Sequence, residues 1–265
     1  MIQTWKVGIT STVPIEVIYA SGSTVVDLNN TFMDDASSLA CVEEAERQGF
    51  PESSCAWIKG IYSCVRRSGV GKVIAVTQGD CSNTHALMET LEFEGIATVP
   101  FMYPYDRDRR FLALQIEKMR REFGVTEADV AKAKLSLDSI RAKVREIDRL
   151  TWESGLVTGR ENHLYHLCSS DMKGDPRAFD TEIDEFIRSV RQREPRDFDI
   201  RLGYVGIPPI MSGIYEYIDC QGGSVVFNEL QRQFSMPHQC EDIVEQYLVY
   251  TYPYHIRFRL EDIKA

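Results

Sequence analysis

Lys72-Val-Ile-Ala-Val-Thr-Gln-Gly79-Asp80-Cys81-Ser82-Asn83-Thr84-His85, continued by an amphipathic run to Glu94, is the stretch whose reading decides the fold. Val73, Ile74, Ala75 and Val76 form an unbroken apolar segment, the pattern of a strand buried on both faces of a parallel sheet. Gly79 permits a sharp turn, Ser82, Asn83 and Thr84 are capping residues, and Ala86, Leu87, Glu89, Leu91 and Glu92 continue at helical spacing. Cys81 thus falls where a strand hands over to a helix, at the end of an open sheet where α/β proteins place their chemistry. Unpaired backbone N–H groups and the positive end of the helix dipole favour an anionic sulfur there. Cys81 reads either as a metal, cluster or redox thiolate, or as a small buried residue filling a tight turn.

Working outward, residues 5–10 and 25–28 read as strands, and Pro14 opens a short helix between them. Asp34 and Asp35 suit the first turn of a helix running to about Gln48, and Ser53 and Ser54 can cap a helix whose first turn contains Cys55. Residues 97–101 form a fourth strand, and this alternation indicates a parallel sheet covered on both faces. From Asp106 the texture changes to a helical insert whose arginines and lysines read as a solvated face, followed by a polar, loop-rich connector from Thr151 to Asp175. Residues 176–193 return to helix. Residues 200–205 and 224–229 restart the α/β pattern, with a partial third strand near residues 254–258.

The expected organisation is therefore a Rossmann-like parallel-sheet domain at 1–105, a helical region and connector at 106–199, and a second, incomplete Rossmann-like domain at 200–265. Its uncovered sheet edge calls for pairing with another chain or for a poorly packed end. The chain of 265 residues carries a net charge of −10, which disfavours nucleic acid as a partner. No apolar run is long enough to cross a bilayer, and the opening residues from Met1 lack a signal-peptide layout, so the chain reads as cytoplasmic. Seven scattered cysteines in a chain of this length do not resemble a disulfide framework.

Cys55-Ala-Trp-Ile-Lys-Gly-Ile-Tyr62, Gly79-Asp-Cys-Ser-Asn-Thr-His85, residues 158–163, Gly206-Ile-Pro-Pro209 and Phe227-Asn-Glu-Leu-Gln-Arg-Gln-Phe-Ser-Met-Pro237 together resemble the 2-hydroxyacyl-CoA dehydratase superfamily, of the 2-hydroxyglutaryl-CoA dehydratase D-component type. Within it the chain is most similar to the double-cubane iron–sulfur cluster proteins. The resemblance implies an oxygen-sensitive iron–sulfur cluster, of [4Fe-4S] or double-cubane type, at the domain junction, with Cys55 and Cys81 as ligands. It also implies a separate ATP-dependent iron–sulfur activator that supplies low-potential electrons, for 2-hydroxyacyl-CoA dehydration or for reduction of small molecules. A third family ligand follows the Tyr252-Pro253-Tyr254 region and is not reached before Ala265.

Pocket residues expected beside the two cysteines are Asn83 and His85, with Glu229 and Gln231 from the second domain facing them. Cys64, nine residues beyond Cys55, falls on the opposite helix face and reads as core, as does Cys41. Two alternatives stand beside the redox enzyme. One is a truncated or non-catalytic family member acting as a subunit or scaffold, in a homodimer or with a related subunit. The other is a mononuclear zinc protein using His163, His166 and Cys168. The turns at Gly8 and Gly206 lack a dinucleotide fingerprint.

Overall fold

In the computed structural model, which describes residues 4–264, the chain begins with β1 (Lys6–Ile9), α1 (Ile15–Ala20), β2 (Thr24–Asp27), α2 (Leu28–Asp34) and α3 (Ser38–Arg47). It continues with α4 (Ala56–Ser68), β3 (Lys72–Gln78), α5 (Thr84–Phe93), β4 (Ala97–Met102) and α6 (Arg109–Phe123). Met1–Gln3, in the expected opening segment, and Ala265, the expected end of the second domain, lie outside the described residues. The four strands pair in parallel in the order β2-β1-β3-β4, and the unbroken apolar run at 73–76 is wholly buried, as a strand with helices on both faces requires. Because the chain passes from β1 to β2 on one side and returns to β3 on the other, the carboxyl ends of β1 and β3 flank a topological switch point.

Helix α4 runs antiparallel to the strands. Its end is tied to the amino edge of the sheet, where Lys6 Nζ donates to the Ser68 carbonyl at 2.8 Å. Its start is tied to the carboxyl edge, where Trp57 Nε1 donates to Asn29 Oδ1 at 2.7 Å, just past β2. Ile58, Ile61, Cys64 and Val65 face a buried cluster with Leu28, Phe32, Cys41, Val73, Leu87 and Leu91, which places Cys41 and Cys64 in the core as expected. Gly60 makes this packing possible: a Cβ there would lie 2.2 Å from the Phe32 ring.

By contacts the chain divides into two units, Met1–Lys134 with Asp242–Arg259, and Leu135–Glu241 with Leu260–Ala265. The first includes α12 (Ile243–Val249), held by the fully buried Glu16 of α1, which accepts from Gln246 Nε2 at 2.6 Å and from the Tyr247 hydroxyl at 2.9 Å. Such burial of a carboxylate is sustained only by complementary donors of this kind.

The second unit takes most of α7 (Glu127–Trp152), then α8 (Gly159–Cys168), α9 (Pro176–Val190), β5 (Ile200–Tyr204), α10 (Ile214–Cys220), β6 (Gly223–Asn228) and α11 (Glu229–Phe234). Strands β5 and β6 pair in parallel, and α8 and α10 both pack on β6. β5 is exposed from Ile200 to Gly203.

Three local expectations change. Asp34 and Asp35 close α2 rather than opening α3, because Asp27 already caps α2 by accepting from the Asn29 N–H at 2.9 Å. The connector at 151–175 contains the ten-residue α8, started by a capping box between Thr158 and Glu161. The third strand near 254–258 does not form: a turn there leads into α13 (Ile256–Lys264).

Candidate functional site

Polar residues collect at the carboxyl ends of the first unit's strands because the strands themselves are apolar and end together. Beyond β1, the Thr10 hydroxyl accepts from the Val76 N–H at 3.0 Å and the Thr12 carbonyl accepts from the Tyr103 hydroxyl at 2.8 Å. Beyond β3, Gly79 adopts φ +96° and lies under Pro253 and Tyr103, so close that a Cβ would meet both within 3 Å. Glycine therefore supplies both the turn and the space for the Tyr252-Pro253-Tyr254 segment to lie over it. The Tyr252 hydroxyl donates to Asp80 Oδ1 at 3.3 Å. Burial pushes the Asp80 carboxyl up to about 6, against the opposing pull of bonds from the Cys81 N–H, Tyr252 and Ser11.

Cys81 follows directly and is half-buried, packed against the α4 core cluster that Trp57 also touches. Its sulfur accepts from Asn83 Nδ2 at 3.5 Å, and its carbonyl accepts from the Thr84 N–H at 3.0 Å as α5 begins. Cys55 is the exposed N-cap of α4, and its carbonyl accepts from the Lys59 N–H at 3.2 Å while its thiol makes no capping bond. Since α4 starts at the carboxyl edge, both thiols belong to that edge of one sheet. His85 is exposed on the first turn of α5.

The second unit has its own polar cluster at the corresponding strand ends. Glu229 and Gln231 are buried on α11, where Glu229 Oε2 accepts from the Gly206 N–H at 3.2 Å. Gln231 Nε2 lies 3.1 Å from His163 Nδ1. Burial, reinforced by the charges of His166 and Arg160, holds His163 down to about 4, so its ring is neutral and Nδ1 can accept from the Gln231 amide. The network continues through the Tyr215 hydroxyl to Asn228 Oδ1 at 2.7 Å, Asn228 Nδ2 to Asn162 Oδ1 at 2.8 Å, and Asn162 Nδ2 to Asp148 at 2.9 Å.

These bonds correct the zinc alternative. Both ring nitrogens of His166 are engaged, with Ser235 Oγ at 3.0 Å and Asp148 Oδ1 at 3.3 Å, and Gln231 occupies Nδ1 of His163. Among the described residues no group of three or more His, Cys, Asp or Glu side chains is arranged to hold a metal ion. Helix α8 turns His163 and His166 inward, into these hydrogen bonds, while Cys168, at its end, is half-buried. The same observation bears on an iron–sulfur cluster, which needs several converging thiolates. Cys55 and Cys81 are both free thiols, and among the described residues neither belongs to a group of three or more such side chains arranged around one point.

Two links escaped the sequence reading: the bond from Trp57 to Asn29, and the bond from Tyr252 to Asp80. The first joins residues 28 apart and the second residues 172 apart, so no local periodicity signals them. Only the polar residue just past each apolar strand marked the edge where they meet. The family model described as 2-hydroxyglutaryl-CoA dehydratase, D-component, matches residues 10–265. No curated protein matches the chain.

Proposed function

The chain belongs to the 2-hydroxyglutaryl-CoA dehydratase D-component family, and on that premise we propose that Cys55 and Cys81 hold an iron–sulfur cluster in a redox protein of the 2-hydroxyacyl-CoA dehydratase type. The observation that carries this reading is the placement of both thiols at the carboxyl edge of one parallel sheet, with Cys81 at the switch point between β1 and β3. When bound, such a cluster supplies a low-potential one-electron carrier, charged by a separate ATP-hydrolysing activator. The reaction served is dehydration of a 2-hydroxyacyl thioester or reduction of a small molecule. A further ligand comes from outside the set assembled by the described residues.

The chain's own residues prepare the place. Asn83 donates to the Cys81 sulfur, a type of contact that orients a ligand and tunes the potential of a cluster. The Tyr252-Pro253-Tyr254 segment covers the Gly79 turn and bonds Asp80, the residue before Cys81. Asp80, its carboxyl raised to about 6, is mostly ionised near neutral pH and takes up a proton beside the Tyr252 hydroxyl in mildly acidic solution.

Iron and acid-labile sulfide bound per chain after anaerobic reconstitution test the reading. Both should fall to background in Cys55→Ser and in Cys81→Ser, and remain at the wild-type level in Cys64→Ser, whose thiol is buried in the core. Loss in Cys64→Ser with retention in Cys81→Ser would reverse the ligand assignment. A second reading, a subunit with no cluster of its own, draws on the incomplete ligand set among the described residues. It requires wild-type protein that stays colourless and iron-free under the same anaerobic conditions.

A further inference from the structure

Nothing in the first turn of α4 fixes the direction of the Cys55 side chain. The residue is exposed, and as N-cap it contributes only its carbonyl, to the Lys59 N–H. Two residues on, however, Trp57 is held from two directions. Its indole N–H donates to Asn29 Oδ1 at 2.7 Å, and its ring meets the Phe32 ring edge-on, with centroids 5.4 Å apart and planes at 89°.

Asn29 is anchored in turn to the ends of the strands. Its Nδ2 donates to the Thr10 carbonyl at 3.0 Å and to Asp27 Oδ1 at 2.9 Å, and its backbone N–H donates to the same Asp27 oxygen at 2.9 Å. Thr10 is itself bonded to β3, through its N–H to the Ile74 carbonyl at 3.2 Å and through its hydroxyl to the Val76 N–H at 3.0 Å. One amide side chain therefore joins the ends of β1 and β2, and through Thr10 that of β3, to the start of α4. Its orientation is forced: a flipped amide would set N–H against the indole N–H and oxygen against the Thr10 carbonyl.

We propose that Asn29 is a positioning residue for Cys55, clamping the first turn of α4 to the carboxyl edge of the sheet through the Trp57 indole and so fixing how the thiol is presented. Its consequence for function rests on the reading of Cys55 as a cluster ligand. The clamp itself does not, and can be measured in the metal-free chain. Strand ends are a rigid base, and a ligand residue is held well only when the group behind it is held.

The test is amide hydrogen exchange of the metal-free full chain, read at Lys59, whose N–H bonds the Cys55 carbonyl, and at Val65, farther along the same helix. Trp57→Phe keeps an aromatic ring to meet Phe32 and removes the indole N–H together with part of the ring's packing surface, whereas Asn29→Ala leaves the indole in place and removes the clamp. Each should speed Lys59 exchange roughly fivefold, the size expected for one hydrogen bond, and leave Val65 unchanged. The double variant should be no faster than Asn29→Ala alone, since Asn29 acts through Trp57. Unchanged exchange at Lys59, an equal rise at Val65, or multiplied effects in the double variant would each overturn the clamp. Iron uptake by the wild-type chain decides the cluster reading separately, and its failure would not alter the exchange result.

Discussion

His163 shows how one buried side chain sets a pH dependence. Burial holds it down to about 4, below the ordinary 6.5, so the folded state resists protonation while the unfolded chain accepts a proton readily. A base with a depressed folded pKa contributes stability that is complete above the unfolded value and is lost as pH falls toward the folded one. Between pH 6.5 and pH 4 the loss should be about 3 kcal/mol, the depression multiplied by about 1.4 kcal/mol per unit. His163→Asn retains an acceptor for the Gln231 amide and removes the titration. Urea unfolding of the two proteins across that range should therefore converge as pH falls, the wild type losing about 3 kcal/mol more. Parallel curves would show that His163 is not held neutral by its surroundings.

At the scale of elements, α8 depends on its start. Thr158 Oγ1 accepts from the Glu161 N–H at 3.1 Å, and the Glu161 carboxylate accepts from the Thr158 N–H at 2.9 Å. Thr158→Ala should lower the stability of the protein by about 1 kcal/mol, measured as a shift in the denaturation midpoint with no change in slope. The same helix explains where the sequence was hardest to read. Strands β1 to β4 were legible because each is a short apolar run, and α5 because its apolar residues recur at helical spacing; α4 was placed from Ser53 and Ser54 as caps, whereas Cys55 is its N-cap and no side chain caps it. The inward face of α8 carries Asn162, His163 and His166, so it lacks an apolar stripe and its residues suggest a loop with metal ligands. The string Thr158-x-x-Glu161 was the available signal. The segment at 254–258 misled for the opposite reason: its Tyr, Ile and Phe residues favour strands, yet no neighbouring strand is there to pair with them.

For the whole molecule, the chain is an acidic α/β protein of the D-component family, and no helix among the described residues is long and apolar enough to cross a membrane. Of the proposed site, Cys55 and Cys81 were read from the sequence, whereas the bond from Trp57 to Asn29 and the segment over Gly79 were not, because both depend on contacts far apart in the chain. The central claim is that Cys55 and Cys81 together hold iron. Anomalous diffraction at the iron edge, from crystals of the anaerobically reconstituted full chain, tests it most directly. The account predicts the iron peaks of one cluster at the carboxyl edge of the four-stranded sheet, with an iron within bonding distance of each of the two sulfurs. Iron bound elsewhere, or iron-loaded crystals with no peak between these two residues, would contradict it.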